Sequence, residues 1–182
     1  MALQFTTSYL EDSLAVFRYY KSLADRALAQ VPDEHLFTTL DGEANSIAIT
    51  VKHIAGNMRS RWTDFLTSDG EKPYRDRDSE FVDPPDTRAD LIELWEDGWS
   101  RLFAALEPLT DEDLGRTITI RAEPHSVTQA INRQVAHYSY HVGQIVLLAK
   151  HFVGPDWKSL SVPRNQSAAF NQQVQSGARS QR

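Results

Sequence analysis

The chain has no cysteine among its 182 residues. This absence excludes disulfides, a protein thiolate nucleophile, cysteine-ligated zinc and iron–sulfur clusters. Any thiol chemistry must therefore use a thiol that binds from outside the chain.

Long apolar runs are also lacking. Runs such as Ile145 to Ala149 are far shorter than the roughly twenty apolar residues that a membrane-spanning helix needs. The first residues, Met1 to Phe5, do not show the basic region followed by an apolar one that a secretory signal has. We therefore expect a cytoplasmic protein with no membrane partner.

Positive charge is in the minority, with 19 Lys and Arg against 25 Asp and Glu, a net charge of -6 and no long basic cluster. Nucleic acid is therefore not an expected partner. A hydrophobic content of 41% is enough for a real core, and the length fits one domain. We expect this domain over residues 1–160, followed by a polar tail over residues 161–182 that is partly disordered or packed on the domain or a partner.

Four long helical patterns, separated by turn signals, predict an all-α fold. The last three patterns open with good N-cap residues. The four predicted helices run from about Thr7 to Gln30, from Asn45–Ser46 to Ser68-Asp69-Gly70, from Thr87 to Pro108, and from Ser126 to Phe152.

The segments between these helices carry two further signals. The polar stretch from Glu71 to Asp86 holds three prolines and predicts a long crossover loop between helices two and three. A connection of this length allows the two helices to be parallel or diagonal neighbours. The alternating residues from Arg116 to Arg121 predict a short strand or hairpin arm before helix four.

Two histidines in the fourth helix, His137 and His141, are the main candidates for chemistry. Residues four apart share one face of a helix and lie about 6 Å apart along its axis, close enough to bind one divalent metal ion. His53 in helix two lies to the same side of its apolar stripe as they do, so three imidazoles converge if the two helices are neighbours. Such a site suits zinc, nickel and other borderline divalent ions.

Other interpretations of the three histidines are also possible. A histidine beside an apolar stripe is often simply half-buried and hydrogen-bonded, and the three histidines could be independent of one another. His35, which follows helix one, is expected at the surface. Gly56 and Gly143 each lie close to a candidate ligand, and we expect them to allow close helix packing rather than to make room for a ligand.

At this point the residues resemble a known family. A histidine within Ile-Thr-Val-Lys-His-Ile-Ala-Gly-Asn in helix two, His-Tyr-Ser-Tyr-His-Val-Gly-Gln-Ile in helix four and the long crossover are similar to the DinB-like superfamily, in an uncharacterised branch of it. The likeness covers about Tyr9 to Phe170. It implies an up-down-down-up four-helix bundle, a homodimer, and a divalent metal bound by His53, His137 and His141.

The resemblance also implies a class of activity. Characterised relatives are thiol-dependent transferases and isomerases, which suggests a metal-dependent enzyme with a low-molecular-weight thiol as co-substrate and a small-molecule substrate. No catalytic residue is assigned, and the carboxylates Glu93, Glu96 and Asp97 of helix three are candidates only. Substrate or cofactor contacts are expected from polar residues near the histidines, namely Asn57, Arg59, Gln134, Tyr140 and Gln144.

Two alternatives to a thiol-dependent enzyme are kept. The first is metal-assisted hydrolysis, in which the ion lowers the pKa of a bound water. The second is a non-enzymatic dimer that binds a metal or ligand at a closed, structural site.

Overall fold

The computed structural model describes residues 6–179 and shows a mainly helical protein with one small two-stranded sheet. An all-α class is therefore confirmed at this coarse level. The helices are α1 Tyr9–Leu28, α2 Asp33–Leu36, α3 Ile47–Trp62, α4 Arg88–Leu106, α5 Val127–Val153 and α6 Ser167–Gln175. The strands are β1 Thr117–Ile120 and β2 Glu123–Ser126.

The long helices begin where local sequence supplies a side-chain cap. The hydroxyls of Ser46, Thr87 and Ser126 each accept a hydrogen bond from the backbone N–H three residues later, which pairs one of the free amides of a helix start. In α5 the side chain of Gln129 also accepts from the N–H of Ser126, completing a capping box. The predicted starts of α3, α4 and α5 are thus confirmed.

The four long helices pack pairwise, α3 on α4, α1 on α5, α3 on α5 and α1 on α4. The approach of α3 and α4 is close, because a Cβ built on Gly98 would lie only 3.1 Å from the Cα of Ala55. Aromatic side chains fill the space between the helices at ring-centroid distances of 5.4 to 6.4 Å. These aromatic core residues are Phe17, Trp95, Trp99 and Tyr138.

The predicted hairpin arm before α5 is confirmed as an antiparallel β1–β2 hairpin. Its two-residue turn, Arg121–Ala122, has positive φ values of 55° and 60°. The carboxylate of Asp69 accepts hydrogen bonds from both turn amides, at 2.8 and 2.7 Å, and so ties the hairpin to the chain beyond α3.

Two predictions about local structure are corrected. Helix α3 ends at Trp62 rather than at Gly70, because Thr63 is extended and Asp64 has a positive φ of 47°. His35 is half-buried in the short helix α2, where its ring stacks on Phe152 at 5.1 Å, so it is not a surface residue.

The crossover and the tail both contain helical structure. Residues 71–86 include a 3₁₀ helix, Asp78–Phe81, which packs on α3. The polar tail includes the helix α6, and residues 180–182 lie outside the described residues. No helix within residues 6–179 combines the length and apolar character needed to cross a bilayer.

Candidate metal centre and adjoining cavity

Three histidines from two helices converge at one point. His53 comes from the middle of α3, and His137 and His141 come from successive turns of α5. The Nε2 atom of His137 lies 3.3 Å from Nε2 of His53 and 3.1 Å from Nε2 of His141. The structure therefore brings together all three predicted ligands, and their ligand atoms lie within 4.8 Å of one another.

Hydrogen bonds on the far side of two rings orient them. The Nδ1–H of His53 donates to Glu80 Oε2 at 2.8 Å, and the Nδ1–H of His141 donates to Gln144 Oε1 at 2.7 Å. A proton on Nδ1 leaves the Nε2 lone pair of each ring directed at the shared point. Histidines that ligate metals commonly have their other nitrogen held in this way.

Two of the three Nε2–Nε2 separations fit a shared metal ion. Zinc–nitrogen bonds of about 2.0–2.1 Å in tetrahedral geometry place two ligand nitrogens about 3.3 Å apart. The two separations of 3.3 and 3.1 Å in this cluster agree with that value. His53, His137 and His141 would thus hold a zinc or nickel ion through neutral imidazole nitrogens.

The surroundings favour the neutral, metal-binding form of two of these histidines, His137 and His141. Burial lowers the pKa of His137 to about 3, and the nearby His141 and His53 act in the same direction. Burial likewise lowers the pKa of His141, although its hydrogen bond with Gln144 opposes the shift. Imidazoles that resist protonation are ready to bind a cation at neutral pH.

Glu80 lies against the candidate centre, although the sequence did not reveal it. Burial disfavours its charged form, but hydrogen bonds from His53 and Arg75 outweigh this and lower the pKa of its carboxyl. Arg75 binds it with two nitrogens, at 2.8 and 3.0 Å. The pairing with Arg75 thus keeps the Glu80 carboxylate ionised and holds it in place behind His53.

Gly56 makes room for this carboxylate. A Cβ at position 56 would lie 2.5 Å from Oε1 of Glu80, whereas a Cβ at Gly143 would meet nothing within 4 Å. Our expectation that both glycines allow close helix packing is therefore wrong. Gly56 accommodates a side chain that holds a candidate ligand, and Gly143 faces open space.

Four of the five predicted contact residues lie at or beside the cluster. Asn57 and Gln134 line a cavity with His53 and His137. Gln144 binds His141, and its Nε2–H donates to the hydroxyl of the exposed Tyr140 at 3.1 Å.

Arg59 is the exception among the predicted contacts. Its guanidinium lies over the ring of Tyr74, and it lines a different cavity together with Lys52, Asp97 and Arg101. The geometry thus separates Arg59 from the three histidines.

A buried polar chain lies beneath the cluster. The indole N–H of Trp62 donates to the hydroxyl of Tyr138 at 3.0 Å, and that hydroxyl donates to Asn57 Oδ1 at 3.0 Å. Burial raises the pKa of Tyr138, so its hydroxyl stays protonated. This chain of hydrogen bonds holds the side-chain amide of Asn57, a residue that lines the cavity.

The carboxylates proposed on helix three are engaged elsewhere. Asp97 accepts from Arg101 at 2.8 Å, Glu96 accepts from Lys21 at 2.7 Å, and Glu93 lines the cavity that holds Arg59. None of them lines the cavity that contains His53 and His137.

The cavity that contains His53 and His137 has a volume of about 390 Å³ and opens beside the candidate metal centre. Its wall combines two of the histidines with Asn57, Gln134 and five arginines. The arginines come from α3, the crossover, the hairpin turn and α5, and they are Arg61, Arg75, Arg77, Arg121 and Arg133.

Comparison with known proteins gives a family without an assigned function. A family model described as "Protein of unknown function (DUF1572)" matches residues 4–166. The match includes the three histidines, Glu80 and the five arginines of the cavity. No curated protein matches the chain.

Proposed function

Since the chain belongs to the DUF1572 family, whose model covers most of its length, we propose that it is a divalent-metal-dependent enzyme of the DinB-like type. The observation that carries this proposal is the convergence of three Nε2 atoms from His53, His137 and His141. The pairing of α3 with α4 and of α1 with α5 supports an up-down-down-up four-helix bundle around this centre.

Three protein ligands suit a catalytic rather than a structural ion. Catalytic zinc sites keep a position open for water or substrate, and structural sites are closed by four protein ligands. Here the cavity lies directly against His53 and His137, so a small molecule can approach the centre. The bound ion would supply Lewis acidity and lower the pKa of a thiol or water at the open position.

A thiol-dependent transferase or isomerase is the favoured reaction class. The chain has no cysteine of its own, so the thiol must be a co-substrate. The pKa of a free thiol is about 8.5, so a small lowering of this pKa is enough to form the thiolate at neutral pH. The arginines of the cavity would further stabilise the anionic thiolate.

Hydrolysis is the less favoured reaction because a carboxylate base is lacking in the right place. Glu80 is held between His53 and Arg75, and no carboxylate among residues 6–179 lines the arginine-rich cavity. A metal-activated water would therefore have no carboxylate to accept its second proton there.

The test is addition of a thiol to an electrophile, with glutathione and 1-chloro-2,4-dinitrobenzene as probes. We expect a rate that saturates with thiol, disappears in chelator and returns with zinc or nickel. His137→Ala should abolish the rate, and His151→Ala, on the exposed end of α5, should leave it intact. Background rates with each of several low-molecular-weight thiols would argue against transfer and favour a non-enzymatic metal-binding role.

We further propose that the protein is a homodimer, as the DinB-like resemblance implies. The tryptophans Trp62, Trp95 and Trp99 are buried and therefore belong to the core. Tyr140 and Leu147, at 60% and 65% exposure, are two exposed large hydrophobic side chains seven residues apart on α5, so they lie on one face that a second copy could contact. Light scattering would test this, since Leu147→Glu should shift a dimer to monomer.

A further inference from the structure

The cavity beside the metal centre is strongly basic, although the protein as a whole is acidic. Five arginines line it, whereas the complete chain has a net charge of -6. No aspartate or glutamate from the described residues forms part of its wall. The positive charge is therefore concentrated at one place in a protein that elsewhere carries the opposite sign.

The charge of these arginines is only partly balanced. Glu71 and Glu80 pair with Arg75, and Glu71 also lies 3.6 Å from Arg61 and 3.4 Å from Arg121. Asp78, nearly fully exposed, is 3.9 Å from Arg77. Within residues 6–179, no carboxylate lies within 4.0 Å of Arg133. Five guanidinium groups thus have three carboxylates within 4.0 Å, and Asp69 also interacts with Arg61, so the arginines at the cavity outnumber their neighbouring carboxylates.

Two buried side chains on the wall have unused hydrogen-bonding atoms. Arg61 is only 3% exposed, yet its Nε and Nη1 atoms have no partner among the described residues. Gln134 is 1% exposed, and its Oε1 is likewise unpartnered within residues 6–179. Buried polar atoms are normally paired, so these two side chains carry unsatisfied polar groups directly behind the cavity wall, with Nη1 of Arg61 lying against Gly70.

The electrostatics around Arg61 show how closely positive charges are packed at this cavity. Burial lowers the pKa of Arg61, and although Glu71 opposes the shift, the neighbouring Arg75 and Arg133 reinforce it. Mutual repulsion of this kind is relieved when an anion lies between the guanidinium groups.

Arg121, one of the five arginines, lies in the hairpin turn, where the backbone is strained. Arg121 and the following Ala122 both have positive φ, in a turn that ordinarily takes Asn-Gly. Asp69 holds the turn through both of its amides. Strained non-glycine residues cluster at ligand sites, and here the strain accompanies an arginine on the cavity wall.

We propose that this cavity binds a small organic anion with at least two negative charges, carried as carboxylates or a phosphate. This inference rests on the proposed function, because the anion would be the substrate or co-substrate of the proposed enzyme. A volume of about 390 Å³ suits a small molecule. Guanidinium groups bind carboxylate and phosphate oxygens through paired, charge-assisted hydrogen bonds.

The direct test is calorimetric titration of the purified, chelator-treated protein with inorganic phosphate and with succinate, at constant ionic strength set by chloride. We expect saturable binding of at least one probe. Arg133→Gln should weaken it at least tenfold, and this exposed position is safe for folding. Arg101→Gln is the matched control, because Arg101 pairs with Asp97 in the separate cavity that holds Arg59.

The two probes distinguish a phosphate-bearing ligand from a polycarboxylate, and binding of either supports the inference. Absence of saturable binding for both probes, or equal weakening by Arg101→Gln, would overturn it. Zinc binding measured on the same samples separates this inference from the proposed function. If the protein binds zinc but neither anion, the metal centre is supported and the anion site is contradicted. If it binds an anion but no zinc, the anion site is supported and the metal centre is contradicted.

Discussion

The carboxylate of Glu80 accepts a hydrogen bond of 2.8 Å from Nδ1 of His53, although 27 residues separate them along the chain. This contact joins the crossover to α3 and directs the Nε2 lone pair of His53 at the other two histidines. The crossover is therefore part of the candidate metal centre and more than a connection between helices.

Removing the charge of Glu80 should weaken the metal centre without unfolding the protein. Residues behind metal-ligating histidines commonly contribute about 10–100-fold to metal affinity. Glu80→Gln should therefore lower zinc affinity by about tenfold or more, measured by competition with a chelating dye. Glu71→Gln is the control, because Glu71 contacts the same Arg75 but no histidine. An equal loss in both variants would assign the effect to general charge.

Filling the space at Gly56 should act on the same contact. In Gly56→Ala the new Cβ displaces the Glu80 carboxylate, so zinc affinity should fall by about tenfold while the helix itself gains up to about 1 kcal/mol. Gly143→Ala makes the same substitution in α5 with no neighbour within 4 Å, and it should leave zinc affinity unchanged. Unchanged zinc affinity in both variants would mean that zinc binding does not depend on the position of the Glu80 carboxylate.

The stability of the metal-free protein should depend on pH through His137. Its pKa is lowered from about 6.5 in the unfolded chain to about 3 in the fold, so the unfolded chain binds the proton first as pH falls. The free energy of unfolding should therefore decrease as pH falls from about 6.5 towards 3. Urea unfolding in chelator would measure this, with His137→Gln expected to flatten the dependence. A slope identical to that of the wild type would contradict this origin.

The hairpin turn should become more stable when its strain is relieved. Ala122 adopts a positive φ of 60°, which glycine tolerates without a steric penalty. Ala122→Gly should raise the free energy of unfolding by about 1 kcal/mol. Ala104→Gly, at an exposed position in the last turn of α4, should instead lower it, by up to about 1 kcal/mol. Thermal melts of both variants give the comparison, and a loss of stability in Ala122→Gly would show that the turn is not strained.

Local patterns predicted those parts of the molecule that depend on local chemistry. The helix starts at Ser46, Thr87 and Ser126 follow from side chains that cap amides three residues away. The pairing of His137 with His141 follows from helix periodicity alone. The meeting of His53 with this pair required only that α3 and α5 be neighbours.

The remaining parts of the site come from irregular segments, where periodicity carries no information. Glu80 and Arg75 lie in the crossover, and Arg121 lies in a two-residue turn, so their positions depend on tertiary packing. Arg59 was wrongly predicted to contact a substrate or cofactor because it is close to His53 in sequence. It lies on a different face of α3 and lines a different cavity. The position of Gly56, three residues from His53, indicates that something packs closely beside the histidine. The sequence does not show that this neighbour is Glu80.

The central claim, a metal ion bound by three histidines, is tested most directly by elemental mass spectrometry of untagged protein. Wild type should carry nearly stoichiometric zinc or nickel, or take it up when supplied. His137→Ala should lose it, whereas His151→Ala, at the exposed end of α5, should retain it. Wild-type protein that holds no metal and binds neither zinc nor nickel would contradict the account.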